Sequence, residues 1–360
     1  MTPMVSATID LGALRHNLQV VRRLAPKSKV MAVIKANAYG HGLITVARAL
    51  EAADAFAVAR VHEGLALRDA GVKTPIVLLE GFFDLEQLEA ATAAGLETVV
   101  HSREQIELLQ AADPAKGVKV WLKLDSGMNR LGFKGAAFNE AYDAIRALPA
   151  LRGSINLMTH LASPDMPELP ATAEQLMVFG AATRTLAGER SVASSAAILR
   201  FPESQADWVR PGLMLYGISP FQRSSGAQHD LRPVMTLSSR VIAVKDLVEG
   251  EQVGYGGDWT ATRPTRLAIA SIGYGDGYPR GAASGTPVLV NGELAALAGR
   301  VSMDMLAIDV SECHEAVQVG DPVVLWGEGL PVEEIALWAE TNPYTLVTGI
   351  TPRVAVVIRE

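Results

Sequence analysis

At 360 residues the chain is long enough for two domains, each able to bury a core of its own. A composition of 49% hydrophobic and 20% charged residues, with Gly and Pro scattered throughout, excludes a disordered chain and fits a soluble α/β protein. A net charge of −7 excludes attraction to nucleic acid or anionic membrane through a global positive field, and no stretch reaches the ~18 apolar residues of a membrane span.

The opening MTPMVSATIDLG has neither the basic nor the apolar region of a secretory leader. A single cysteine, Cys313, cannot pair internally, so a reducing compartment, the cytoplasm, is expected. Glu312 and Glu315 beside it disfavour a thiolate, which argues for an incidental rather than a nucleophilic thiol.

In chain order, residues 10–24 predict a helix, with Asp10 capping the first turn and Leu11, Leu14, Leu18 and Val21 at helical spacing. Short apolar runs then alternate with amphipathic stretches. Strands are expected at 30–35, 55–59, 75–79, 97–101, 119–124, 155–160, 191–194 and 213–217. Helices are expected at 43–52, 61–70, 84–94, 103–112, 137–147 and 171–187. Eight strands with intervening helices over roughly 220 residues predict a (β/α)8 TIM-type barrel, with a doubly wound sheet as the alternative.

After Pro220 the segment FQRSSGAQHDLRP is polar, and the chain beyond it reads as β-branched runs separated by Gly. The expected division is therefore a barrel at 1–222, whose first few residues can pack with the second domain, and a mostly antiparallel β-domain at 223–360. Asn291-Gly292 sits between two apolar runs as a two-residue hairpin turn, and one helix is expected near 332–340.

Several residues could carry chemistry. Lys35 closes the first barrel run ahead of ANAYGHG, where an amine ringed by apolar side chains would suit a Schiff base; a lysine snorkelling to water fits the spacing equally. In KLDSGMNRLGF, Lys123 and Arg130 suit a carboxylate or phosphate, or else a surface ion-pair cluster with Asp125. His160 ends the sixth run and Arg210 precedes the eighth. Ser194, Ser195, Gly212 and Leu213 offer hydroxyl and N–H donors where barrels hold phosphates, though serines at strand ends are often turn formers. Tyr255 and Tyr274 lie in Gly-rich turns, and GRVSMDM carries Met303 and Asp304.

Taken together, VIKANAYGHG, KLDSGMNRLGF, THLA, DWVRPGLMLYG, VGYGG, SIGYGDGYPR and GRVSMDM resemble the alanine racemase family, in the family's order from Ala32 onward. The resemblance implies pyridoxal 5′-phosphate bound through Lys35 and a homodimer whose active sites are shared. It also implies a two-base exchange in which Lys35 and Tyr255, the latter from the partner subunit, face opposite sides of the substrate Cα. Arg210 would serve the cofactor's ring nitrogen, supported by His160. Arg130 would serve the phenolic oxygen and the substrate carboxylate. Lys123 matches a position that many members carbamylate. Tyr39, Ser195, Gly212, Leu213 and Tyr344 match phosphate-binding positions, with Ser194 where many members have Asn. Met303 and Asp304 match substrate-facing residues, Tyr274 one at the substrate entrance, and Ser302 stands where some members have Cys. No metal is implied. Rival readings are a serine or broader racemase, a basic amino-acid decarboxylase of the same plan, and a non-catalytic cofactor carrier.

Overall fold

A computed structural model describes residues 3–113 and 115–360; the first two residues of the expected barrel domain, and Pro114 within it, lie outside the described residues. The chain divides into two compact units, one made of Arg15–Leu215 and the other of Met1–Leu14 with Tyr216–Glu360.

The strands in chain order are β1 (Ser6–Asp10), β2 (Lys29–Val33), β3 (Ala55–Val58), β4 (Ile76–Leu78), β5 (Glu97–Val100), β6 (Val120–Lys123), β7 (Asn156–Met158), β8 (Arg190–Ser194) and β9 (Trp208–Arg210). Those of the second half are β10 (Met235–Leu247), β11 (Gln252–Val253), β12 (Trp259–Thr260), β13 (Thr265–Ala270), β14 (Pro287–Val290), β15 (Glu293–Leu297), β16 (Leu306–Asp309), β17 (Pro322–Trp326) and β18 (Ala355–Arg359). β2 to β9 form the expected closed barrel, each strand parallel to its neighbours, with β9 returning to pair with β2. Continuous apolar runs mark these strands because both faces are covered: every residue of β3, β4 and β6 is buried.

One expected strand is misplaced. The last barrel strand is Trp208–Arg210, and 213–216 forms a short 3-10 turn. Pro211 lacks the N–H a continued ladder would use, and Gly212 adds no side chain to pack, so the strand ends at Arg210, with Pro211 O as a last acceptor for Val33 N–H (2.9 Å). The Lys35 run also ends early, at Val33, which leaves the lysine on the turn beyond it.

At the N-terminal ends of the strands, Trp121 and Trp208 meet edge to face with centroids 6.0 Å apart. Trp121 donates to Glu97 (2.9 Å) and Trp208 to Glu189 (2.6 Å), while Lys119 and Lys29 pair with those same carboxylates. The barrel floor is thus tied by residues with partners of their own, leaving the opposite face for chemistry.

In the other unit, eight strands form one sheet in the order β13-β16-β15-β14-β17-β10-β1-β18, with β13 also pairing to β10. β10 alternates buried and half-buried residues over its first half, as a one-sided sheet requires. Asn291 (φ 52°) and Gly292 (φ 83°) make the predicted hairpin turn between β14 and β15. Asp10 caps the following helix by accepting from Ala13 N–H at 2.7 Å. Among the described residues no helix is long and apolar enough to cross a membrane.

Gly188, which leads into β8, has φ +114°, and a Cβ there would stand 1.9 Å from the carbonyl oxygen of Ile155. Gly188→Ala is expected to cost more than about 2 kcal/mol, read as a lower urea midpoint; an unchanged midpoint would show that the backbone yields at no cost.

Candidate active site

The C-terminal ends of the barrel strands gather the chemistry. Residue 35 opens an unusual segment: Ala36, Asn37, Ala38 and Tyr39 all have φ of 52–53°, one turn of left-handed helix built from L-residues. Each such residue costs roughly 1–2 kcal/mol relative to the right-handed form, so the surroundings must hold the turn. Within it, Ala38 N–H donates to Ile34 O (2.9 Å) and Gly40 N–H to Ala36 O (3.0 Å). Gly42 N–H donates to Asn37 O (3.0 Å), and Leu43 N–H to the Asn37 side chain (2.9 Å). From outside, Glu63 accepts from Ala36 N–H at 2.6 Å.

His41 closes the turn from below, fully buried, with Nδ1 2.8 Å from Tyr39 O and 3.1 Å from Ala38 O. Burial lowers its pKa to about 4, although the carbonyl contacts pull the other way.

Arg210 ends β9, nearly fully buried. Its Nη1 donates to Ser191 Oγ (2.7 Å), and Nη2 to the carbonyls of Thr159 (2.7 Å) and Val192 (3.2 Å), with His160 Nδ1 at 3.3 Å. Burial lowers the guanidinium pKa to about 10, so the group stays charged at neutral pH. His160, two residues beyond β7, is held well below its ordinary pKa by burial and by the charges of Arg210, Lys123 and Arg130. Its ring is therefore neutral, and Nδ1 can accept from Arg210.

Lys123 ends β6 and is buried; burial, then Arg210 and Arg130, bring its amine down to about 8. The Lys35 amine is lowered too, first by burial and then by Arg130, against the opposing pull of Glu80 and Glu63. Asp125 takes a role other than pairing with Arg130. It accepts from Gly127 and Asn129 N–H (3.0 Å each) and pairs with Lys134 at 3.6 Å, shaping the loop that carries an exposed Arg130.

Ser195 Oγ accepts from Gly212 N–H (2.9 Å) and Met214 N–H (3.3 Å), beside Ser194 and the buried Leu213. A Cβ on Gly212 would stand 2.7 Å from the Tyr39 hydroxyl. Lys35, Tyr39, Lys123, Arg130, His160, Ser194, Ser195, Arg210, Gly212 and Leu213 all belong to the barrel unit.

The remaining sequence-derived residues belong to the other unit. Tyr255 begins a short Gly-rich turn, 72% exposed, next to the ion pair of Arg300 and Asp258. Tyr274 and Gly275 donate through their N–H groups to the carbonyls of Ser302 and Met303, and Arg280 lies over the Tyr274 ring. Asp304 accepts from Arg353 at 2.7 Å, and Tyr344 is exposed on the helix Pro343–Thr348.

Residues 9–220 match the family described as alanine racemase, N-terminal domain, and 234–358 that described as alanine racemase, C-terminal domain. The chain is 51% identical to an alanine racemase of Aeromonas hydrophila, covering 97% of both proteins. A crystal structure of the biosynthetic alanine racemase of Pseudomonas aeruginosa is similar with a TM-score of 0.96 at 45% identity, over the whole of both chains. An alanine racemase structure from Bartonella henselae with covalently bound pyridoxal phosphate is similar at 0.90 and 28% identity, over 99% of this chain and 100% of that one.

The folded chain binds fewer protons at His41 than the unfolded chain between about pH 6.5 and pH 4, so stability is lost as pH falls through that window. Between about pH 7 and pH 5 this one imidazole should remove about 2 kcal/mol, with His160 adding in the same direction. Urea titrations at the two pH values check this: His41→Gln should flatten the dependence, and an equal slope in the variant would exclude His41 as its source.

Proposed function

The chain belongs to the alanine racemase family, and from that premise we propose that it interconverts L-alanine and D-alanine with pyridoxal phosphate carried on Lys35. The observation that carries this reading is Arg210, a charged guanidinium buried at a barrel strand end among neutral acceptors, in the same mouth as an amine biased toward its neutral form.

The residues fit a phosphate-bearing cofactor. Four basic side chains, of which Arg210 stays charged, and the hydroxyls of Tyr39, Ser194 and Ser195 make an anion-receptive set, and the missing side chain at Gly212 leaves open the space before the Tyr39 hydroxyl. Tyr39, Ser195, Gly212, Leu213 and Tyr344 would hold the phosphate, and Arg130 the phenolic oxygen. Bound pyridoxal phosphate would supply an electron sink that makes the substrate Cα–H acidic enough to exchange.

Arg210 would donate to the ring nitrogen. Because a guanidinium does not surrender its proton there, Arg210 would leave that nitrogen without one, a setting that would restrain side reactions such as decarboxylation and speaks against a decarboxylase. His160, neutral, braces Arg210. Lys35 and Tyr255 would divide the proton work: one removes the Cα proton from one face while the other returns a proton to the opposite face. Tyr255 would come from a second copy of the chain, a reading supported by its exposure on a Gly-rich turn. Arg130, Met303 and Asp304 would orient the substrate, with Tyr274 at its entrance. The Lys123 amine, lowered to about 8, is suited to take up carbon dioxide as a carbamate, releasing a proton and giving Arg130 an anionic partner. The product would supply peptidoglycan or the reverse reaction feed alanine breakdown, in the cytoplasm.

Purified protein supplied with single L-amino acids should form D-alanine from L-alanine, and only with pyridoxal phosphate present; enantiomer formation from serine but not alanine would move the reading to a serine racemase. Tyr255→Phe should lower turnover by at least about 100-fold while cofactor absorbance persists, and near-normal turnover in both directions would remove it as a base. Mixed dimers of Lys35→Ala and Tyr255→Phe subunits should regain activity, since one of the two sites would hold both native groups; verified mixed dimers without activity would exclude a shared site.

A further inference from the structure

We propose that Glu63 is the positioning residue for Lys35, acting by holding the left-handed turn that begins at the next residue. Its carboxylate is nearly buried and divides between two neighbouring strands. One oxygen accepts from Ala36 N–H (2.6 Å), in the turn after β2; the other accepts from Ala59 N–H (2.9 Å) and Arg60 N–H (3.0 Å), just after β3. Ile34 N–H already donates to Ala57 O (2.9 Å), so Glu63 extends the β2–β3 pairing past the ladder's end, to the peptide that carries the Lys35 side chain.

Geometry makes the role specific. Four consecutive L-residues at φ near 53° relax toward the right-handed region unless their N–H and carbonyl groups are committed. Ala38 N–H reaches back to Ile34 O, and Gly40, Gly42 and Leu43 donate to the turn from its end, whereas Glu63 ties it to the helix Val61–Asp69, anchored on the next strand. A glutamine there would retain one acceptor oxygen but turn an N–H toward a backbone N–H. An aspartate would be one methylene short of spanning both strands.

The carboxylate also faces the lysine electrostatically. Beyond burial, the Lys35 amine is pushed down by Arg130 and pulled up by Glu80 and Glu63, while its own charge bears on Lys123 and His160 across the mouth. Removing the charge of Glu63 while keeping the side chain's size should favour the neutral amine. This inference rests on the reading of Lys35 as cofactor anchor and base.

The test uses the pyridoxal-phosphate holoenzyme of Glu63→Gln and Glu63→Asp beside the unchanged protein. Three quantities are measured: kcat and KM across pH in both directions, the pH titration of the bound cofactor's visible absorption, and the thermal midpoint. Glu63→Gln should move the absorption titration, and the kcat limb for the direction in which Lys35 takes the proton, to lower pH by about half a unit or more. Glu63→Asp should leave those titrations in place yet lower kcat by about tenfold or more, with KM changed far less, because the amine is re-aimed. Titrations in Glu63→Gln that coincide with those of the unchanged enzyme overturn the proposal, whatever happens to the thermal midpoint. If Glu63→Gln does not fold, the aspartate variant decides: a fall in kcat supports the proposal and an unchanged kcat overturns it. An unchanged protein that binds pyridoxal phosphate but racemises nothing would overturn the functional reading instead, and the absorption titrations would still decide the role of Glu63.

Discussion

Like charges crowded into one barrel mouth set the terms for the rest of the site. Burial is the first cause that lowers the proton affinity of Lys35 and Lys123 and the one that lowers Arg210, and Lys35, Lys123, Arg130 and Arg210 each push down at least one neighbour besides. The fold answers with dipoles more than with anions. Arg210 is met by two carbonyls, a hydroxyl and a neutral imidazole, while Asp125 is occupied with its own loop and Lys134. The positive field therefore remains for whatever enters. An anionic ligand that relieves it binds the folded chain alone, so its binding energy adds to stability.

A second constraint is steric and meets the first at Lys35. The left-handed run after β2 is local strain held at the place where an amine must point in one direction, and the groups that hold it, Glu63 and His41, lie away from the reacting atoms. The same two residues are electrically opposite in effect: Glu63 pulls the proton affinity of the lysine up, while His41 is kept neutral by its burial. The strain thus brings no additional cation into an already repulsive mouth.

Much of this was legible in the sequence, and the exceptions have physical reasons. Apolar runs of four to six residues separated by helical stretches gave the barrel's eight strands, because parallel strands buried on both faces leave a continuous apolar signal. The last strand lies a few residues before the run that predicts it, because LMLYG is longer and more apolar than WVR while the Pro-Gly break between them ends the strand. Arg210 consequently lies on a strand end rather than before one. Glu63 went unread as a site residue: it sits at the third position of a helix, where a glutamate is an ordinary capping group, and its second acceptor bond joins positions 27 residues apart. The only trace of it was a glutamate three residues after Arg60 at a helix start. His41 was visible as a residue in a Gly-flanked turn, but its burial depends on packing that spacing does not encode.

The strand β1 has a consequence of another kind, for the order in which the molecule can be made. It lies inside its sheet, antiparallel to β10 and parallel to β18, with Ser6 opposite both Ser238 and Ala355. A ribosome delivers β1 first and both of its neighbours more than two hundred residues later. In the interval the contiguous barrel segment can close on its own contacts, while β1 waits with two bare hydrogen-bonding edges. Among the described strands, the pairing of widest sequence separation, β1 with β18, is thus also one whose second strand arrives late. Nascent chains stalled before residue 355 should contain a finished barrel and an unfinished sheet, the state in which this protein is most exposed to mispairing.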